Sequence, residues 1–224
     1  MENLEQIINQ LNDWNEQGRF AETLAEANAL TIETPDEASL FVVKGNALYD
    51  LGRFEEALTA YETAIRLDTD DVQARTNYGA TLFSLGRHVA ALNACDAALL
   101  IDSKFVPAYI NAAHCLAELG HDDEAIDALW EAYTLNPEDI NIGRTAAEMA
   151  TDLGAYEMAR DIYFDLSANP NAPSDLPTAI YNFFKLMQQH GIARTQIMQD
   201  VNTWRQKYGR NSDVLRLAGE LLKG

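Results

Sequence analysis

The stretch Gly52-Arg53-Phe54-Glu55-Glu56-Ala57 recurs through the chain at a constant interval. Its glycine returns every 34 residues, at Gly18, Gly52, Gly86, Gly120 and Gly154. Four of these glycines follow a leucine, and four are followed five positions later by an alanine, at Ala57, Ala91, Ala125 and Ala159. A period between about 20 and 50 residues indicates stacked supersecondary units, each of which buries its apolar face against its neighbours.

Each period has the apolar spacing of two helices. From Glu37 to Leu51 the apolar residues follow helical spacing, and Gly52 is placed to end that helix. A second helix is predicted from Phe54 to Leu67. Small residues recur on the first helices, where we expect the two axes to approach closely and a larger side chain to overpack the contact. They are Gly45, Gly79, Ala113 and Ala147.

The charge of the chain argues against a nucleic acid as the main partner. The 224 residues include 16 basic and 35 acidic side chains, a formal net charge of −19, whereas phosphates require basic stripes. Residues 1–175 carry −23 and residues 176–224 carry +4. This asymmetry leaves two interpretations open. Either the acidic surface is simply solvated, or the acidic body and the basic end contact each other or choose partners of opposite charge.

The sequence also bears on the compartment. It has no run of about 18 apolar residues, so no membrane span is predicted. The first residues lack the basic start and apolar block of a signal peptide. Two cysteines, Cys95 and Cys115, are too few for a disulfide framework. We therefore expect a cytoplasmic protein.

The repeated residues resemble the tetratricopeptide repeat, and this resemblance implies an all-α fold. That fold is a right-handed α-solenoid of antiparallel helix pairs. The resemblance covers about three quarters of the chain, and it indicates fold far more specifically than function. The residues that carry it are Gly45, Tyr49, Gly52, Phe54, Ala57, Tyr61 and Ala64, with closing prolines at Pro35 and Pro137.

Five repeat units and a diverged end are expected from this register. The units are 4–37, 38–71, 72–105, 106–139 and 140–173. The turn-rich stretch 167–175 breaks the register. Residues 174–224 are predicted to form a divergent sixth helix pair and a capping helix of the same solenoid. The capping helix is expected to bury Val214, Leu215, Leu217, Leu221 and Leu222.

In the family, the first helices line a concave groove that holds a segment of another protein. Asn77 and Asn111 occupy the same inward place in successive units, and Asn9 and Asn182 occupy it in the first and last. A side-chain amide both donates and accepts, so a row of amides can hold an extended peptide backbone. The row is partial, because Val43 and Thr145 interrupt it, and the alternative is that these amides stabilise helix packing or are solvated.

The resemblance places the candidate binding residues on this inward face. Because Asp50, Glu118, Glu148 and Asp152 also face inward there, a neutral or basic segment is expected. An acidic chaperone tail is disfavoured, because the basic partners it needs are replaced by Val42, Pro107 and Asn111. The candidate peptide-binding residues are Asn46, Tyr49, Asn77, Phe83, Asn111, His114, Arg144 and Glu148.

Catalytic motifs are absent from the sequence. It has no nucleophile elbow, phosphate-binding loop or zinc-ligand spacing. Gly120 ends the helix of His114 before His121, so the two histidines are not expected to share a helix face. The sequence therefore predicts a non-enzymatic scaffold without cofactor or metal, which binds a protein or peptide rather than a nucleic acid or a membrane. The alternative is a structural protein that self-associates into a homo-oligomer, acidic body to basic end.

Overall fold

The computed structural model describes residues 4–208 and 212–223, and within them the chain forms thirteen α-helices and no strand. The helices predicted from Glu37 to Leu51 and from Phe54 to Leu67 are present, with bounds within one residue of those expected. No helix in the described part combines the length and apolar character needed to cross a bilayer. The helices are α1 (Leu4–Glu16), α2 (Phe20–Glu33), α3 (Ala38–Asp50), α4 (Phe54–Leu67), α5 (Val72–Ser84), α6 (His88–Ile101), α7 (Val106–Glu118), α8 (Asp122–Leu135), α9 (Ile140–Asp152), α10 (Tyr156–Ala168), α11 (Leu176–Gln189), α12 (Arg194–Tyr208) and α13 (Ser212–Lys223).

The repeated glycine ends the first helix of each pair. Gly52 has a φ of 73°, a left-handed conformation that costs other residues free energy. Its N–H donates to the Tyr49 carbonyl at 2.8 Å, and the Arg53 N–H donates to the Leu48 carbonyl at 2.8 Å. These two bonds satisfy the last carbonyls of α3 and reverse the chain into α4. The same positive φ occurs at Gly18, Gly86, Gly120, Gly154 and Gly191.

The chain divides into two compact units, residues 1–128 and 129–224. In the first unit each helix from α1 to α6 packs against the next along the chain, and each first helix from α1 to α5 also contacts the first helix that follows it. α1, α3, α5 and α7 therefore form a continuous row, against which α2, α4 and α6 pack. This row brings side chains of successive repeats together.

The small residues of α3 and α5 allow close helix contacts, as their positions predict. A Cβ on Gly45 would lie 2.5 Å from Cε1 of Tyr61, and one on Gly79 would lie 3.2 Å from the Ala91 carbonyl oxygen. Val42 and Val43 differ from the sequence prediction. Both were expected on the groove face, yet they are 8% and 2% exposed and belong to the apolar core.

The second unit is built around aromatic side chains on α11 and α12. The rings of Phe184 and Trp204 lie 6.0 Å apart, and both are fully buried. α13 packs against α11 and α12, and it buries Val214, Leu217 and Leu221. Leu215 was expected to be buried with them but is 45% exposed, because it lies on the outer side of the helix.

Candidate peptide-binding groove

A polar cavity of 350 Å³ opens in the first unit where α1, α3, α4 and α5 meet. Three of the predicted binding residues, Asn46, Tyr49 and Asn77, line it together. They come from two successive repeats, so the row of first helices is what assembles them. The full lining is Asn15, Glu16, Asn46, Tyr49, Asp50, Tyr61, Asn77 and Ala80.

A shared acceptor fixes the amides at the centre of the cavity. The Tyr61 hydroxyl donates to Oδ1 of Asn46 at 2.7 Å, and Nδ2 of Asn77 donates to the same oxygen at 2.9 Å. Burial, followed by the charge of Asp50, raises the pKa of Tyr61, so its hydroxyl stays protonated and remains a donor. With its oxygen held by two donors, the Asn46 amide is oriented and its NH₂ group is left to donate.

Among the described residues, the side-chain oxygen of Asn15 is a buried polar atom of the cavity lining without a hydrogen-bond partner. Nδ2 of Asn15 donates to the Val43 carbonyl at 3.3 Å, but Oδ1 of Asn15 is buried and accepts no hydrogen bond. A buried acceptor without a donor costs about 1–3 kcal/mol. A ligand N–H would remove that cost once the Asn15 side chain turned its oxygen, which is shielded in this structure, towards the cavity.

The cavity is acidic. Glu16 and Asp50 are its charged residues, and its lining contains no lysine or arginine. Burial raises the pKa of the Asp50 carboxyl, because the partly enclosed site solvates the anion less well than water does. A cationic group beside Asp50 would stabilise that anion.

Phe83 and His114 extend the predicted surface beyond this cavity within the first unit. Their rings lie 6.0 Å apart, and Phe83 also makes an edge contact with His88 at 5.0 Å. Burial lowers the pKa of His114, an effect that Glu118 partly opposes. Tyr49 reaches towards the next repeat, since its hydroxyl lies 3.1 Å from Oγ of Ser84.

The four asparagines of the predicted row lie in different surroundings. Asn77 lines the cavity of the first unit, and Asn111 on α7 is half-buried without a hydrogen bond to another described residue. Asn9 is exposed on α1. Asn182 lines a cavity of the second unit.

Arg144 and Glu148 lie in the second unit, on α9, and line its cavity of 560 Å³. Nε of Arg144 donates to Glu148 at 2.9 Å, and Nη1 of Arg144 donates to Asp175 at 2.9 Å. These bonds raise the pKa of Arg144 and occupy its guanidinium. Its charge is therefore already neutralised inside the protein.

Comparison with known proteins agrees with this geometry. Residues 45–86 match the sequence profile described as TPR repeat, and residues 106–139 match the one described as tetratricopeptide repeat. Residues 45–86 and 106–139 therefore carry tetratricopeptide repeats. These repeats mediate contacts between proteins, and no catalytic family is indicated. No curated protein matches the sequence significantly.

Solved structures of tetratricopeptide repeat proteins share this fold. The pilF protein of Pseudomonas aeruginosa has a TM-score of 0.68 and 13% identity, and the match covers 96% of each chain. MamA from Desulfovibrio magneticus RS-1 has a TM-score of 0.59 and 17% identity, over 85% of this chain and 99% of that one. The TPR domain of Arabidopsis OM64 has a TM-score of 0.50 and 27% identity, over 53% and 95%. The likeness identifies a helical-repeat solenoid.

Besides Asp50, which was expected to face inward, four residues of the cavity lining were not among the predicted binding residues: Asn15, Glu16, Tyr61 and Ala80. Asn15 and Glu16 come from the first repeat, and Tyr61 comes from a second helix. The repeat register contained the signal for the first two, because Asn15 precedes Gly18 by the same interval as Tyr49 precedes Gly52, and Glu16 corresponds to Asp50. In the sequence Tyr61 was only one of the residues that mark the repeat, but in the structure its hydroxyl orients Asn46.

Proposed function

We propose that this tetratricopeptide repeat protein is a non-enzymatic adaptor that binds a neutral or basic segment of a partner protein. The binding site is the cavity of the first unit and the adjoining faces of α3, α5 and α7. We also propose a reducing compartment such as the cytoplasm, because Cys95 and Cys115 are both buried free thiols.

The observation that carries this proposal is that two polar groups of the cavity lining lack hydrogen-bond partners. The oriented NH₂ of Asn46 lacks an acceptor, and the buried Oδ1 of Asn15 lacks a donor among the described residues. A peptide backbone supplies one acceptor and one donor per residue, so whatever its sequence it can satisfy the Asn46 NH₂ group and, once the Asn15 side chain turns its shielded oxygen into the cavity, that oxygen as well.

Charge determines which side chains the segment should carry. Glu16 and Asp50 favour a lysine or arginine side chain in the cavity, and the ring of Tyr49 offers a cation–π surface beside them. Acidic side chains would meet two carboxylates without a compensating cation. We therefore expect binding to select against Asp and Glu.

The test begins with peptides selected from a random decapeptide library on the intact protein. Their affinities are then measured by titration calorimetry for the wild type and for Asn77→Ala combined with Asn111→Ala. We expect enrichment of Lys and Arg and a loss of about thirtyfold in affinity for the double variant, since each of the two removed amides contributes about 1 kcal/mol.

Asn28→Ala is the matched control, because Asn28 is an exposed asparagine on α2 outside the cavity. It should leave the affinity unchanged. Selected peptides that bind the double variant as tightly as the wild type would show that the amides do not hold the segment. Enrichment of Asp and Glu would refute the charge preference.

A further inference from the structure

A second cavity of the first unit, of 460 Å³, lies between α4, α5 and α6. It shares no lining residue with the polar cavity described above. Its lining is mainly apolar with a basic rim, and consists of Glu62, Ile65, Arg66, Arg75, Tyr78, Leu82, Ala90, Asn93 and Ala94.

The two cavities lie on opposite faces of α5. Asn77 and Ala80 line the polar cavity, whereas Arg75, Tyr78 and Leu82 line the second one. At about 100° per residue, positions 75, 78 and 82 share one helix face, and positions 77 and 80 point away from it. A ligand in one cavity therefore leaves the other accessible.

The arginines of the second cavity are not neutralised by carboxylates. Arg66 is exposed and forms no hydrogen bond or ion pair with another described residue. Arg75 donates from Nε and Nη2 to the Thr69 carbonyl, at 3.3 and 2.7 Å, which leaves its charge uncompensated. The acid of the lining, Glu62, accepts a hydrogen bond from the Tyr78 hydroxyl at 2.9 Å.

This basic rim contrasts with the rest of the unit. Residues 1–128 contain 7 basic and 23 acidic side chains. Of the seven, Arg19 and Arg53 each pair with a glutamate in the first turn of the helix that follows them, whereas Arg66 and Arg75 face one cavity. Arg87 also lies near Tyr78. Burial and Glu62 raise the pKa of the Tyr78 hydroxyl, and the positive charge of Arg87 partly opposes that rise.

The floor of the cavity is apolar. Leu82 is buried there, with Ile65 and Ala94 half-buried beside it. Ala90 is exposed at the edge, so the opening is bordered by a methyl group rather than by a large side chain. An aliphatic side chain fits such a floor, because it removes apolar surface from water without requiring a hydrogen bond.

We infer that this cavity binds a short acidic segment of a partner protein, with one aliphatic side chain on the apolar floor and flanking carboxylates against Arg66 and Arg75. The charge complementarity at the rim and the apolar floor together select this occupant. A long polyanion such as a nucleic acid is disfavoured, because beyond the two arginines it would meet the acidic surface of the unit. This inference is independent of the proposed function, since the two sites share no residue.

The probe is the capped, fluorescein-labelled peptide Gly-Ser-Asp-Leu-Asp-Ser-Gly, titrated into the full chain and followed by fluorescence anisotropy. Two further peptides carry Asn-Leu-Asn or Asp-Gly-Asp at the centre. We expect saturable binding of the first peptide and at least about tenfold weaker binding of the other two, since one lacks the charges and the other the apolar anchor.

Two variants separate charge from shape. Arg66→Ala removes an unpaired charge, and Ala90→Phe narrows the opening without touching the core, so each should weaken the first peptide about tenfold. Arg53→Ala is the matched control, because Arg53 is exposed on the same unit but pairs with Glu56. Arg53→Ala and Asn77→Ala should both leave the affinity unchanged.

No saturable binding of the first peptide, or equal binding of all three, would overturn the inference. An affinity that Arg66→Ala and Ala90→Phe both leave unchanged would overturn it as well. Displacement of the peptide by a ten-nucleotide strand of thymidylates at equal concentration would reassign the cavity to nucleic acid. Circular dichroism of each variant verifies that the helices remain folded.

Discussion

At the scale of single residues, the packing of Tyr61 couples the core to the candidate site. Its ring is 2% exposed and lies against Gly45, while its hydroxyl holds Oδ1 of Asn46. The absence of a side chain at position 45 therefore sets where the ring lies. The ring position in turn sets the orientation of the amide that faces a ligand.

We predict that Gly45→Ala destabilises the first unit. The new Cβ would lie 2.5 Å from Cε1 of Tyr61, and displacing this buried ring strains its bond to Asn46. Overpacking of this kind costs about 1–3 kcal/mol, which exceeds the gain of about 1 kcal/mol from helix propensity. The urea midpoint, followed by circular dichroism, should fall.

Gly219→Ala provides the opposite case, because a Cβ on Gly219 would meet nothing within 4 Å. It should raise the stability of its unit by about 0.5–1 kcal/mol. If Gly45→Ala were as harmless as Gly219→Ala, the close contact between α3 and Tyr61 would be wrong.

His114 should make stability depend on pH. Burial lowers its folded pKa below the ordinary value of 6.5, so between these two values the unfolded chain binds more protons than the folded one. Its contribution to stability is complete above pH 6.5 and is lost as the pH falls towards the folded pKa. Free energies of unfolding at several pH values between about 7.5 and 5 should therefore fall less for His114→Gln than for the wild type. Equal slopes would contradict the burial of this ring.

At the scale of helices, the first turns are capped unevenly. Asp71 precedes α5 and accepts a hydrogen bond from the Ala74 N–H at 2.8 Å, whereas Glu37 precedes α3 without a side-chain cap. Asp71 thus satisfies one of the free N–H groups that begin α5. Since α5 presents residues to the polar cavity and to the cavity with the basic rim, this cap supports two candidate sites.

We predict that Asp71→Ala lowers the free energy of unfolding by about 0.5–2 kcal/mol, the usual value of an N-cap. Glu37→Ala is the paired substitution at the equivalent place in the preceding repeat, and it should cost less than about 0.5 kcal/mol. Urea unfolding of both variants measures the difference. A cost for Glu37→Ala equal to that for Asp71→Ala would contradict the capping geometry.

The helices were predictable from the sequence because local signals specify them. Apolar spacing locates each helix, and a glycine with positive φ ends each first helix. The cavity was predictable only in part. Asn46, Tyr49 and Asn77 follow from the repeat register, but the bond from Tyr61 to Asn46 depends on how far the ring reaches past Gly45. Val43 was expected on the groove face but is buried, because burial depends on how neighbouring repeats pack and not on the position within one repeat.

At the scale of the whole chain, the dominant property is a net charge of −19. Like charges on separate copies repel each other at low ionic strength, where screening is weakest. The site proposed for a basic segment and the site inferred for an acidic one let the first compact unit hold two kinds of segment despite this overall charge. Local charge, rather than net charge, then determines which segment binds where.

We predict that the protein is monomeric across a range of salt, because its acidic surface disfavours self-association. Light scattering should give a mass near 24.9 kDa at both about 50 and about 500 mM salt. A larger mass at low salt that high salt abolishes would favour the alternative, charge-driven contact between the acidic body and the basic residues 176–224.

The most direct test of peptide binding in the polar cavity is calorimetry of one selected lysine-bearing peptide with the wild type and with Asp50→Asn. This substitution preserves shape and removes the charge of a lining carboxylate. We predict about tenfold weaker binding for Asp50→Asn and no change for Asp96→Asn, an acid on α6 outside the cavity. Equal affinity for the wild type and Asp50→Asn would show that the segment binds elsewhere.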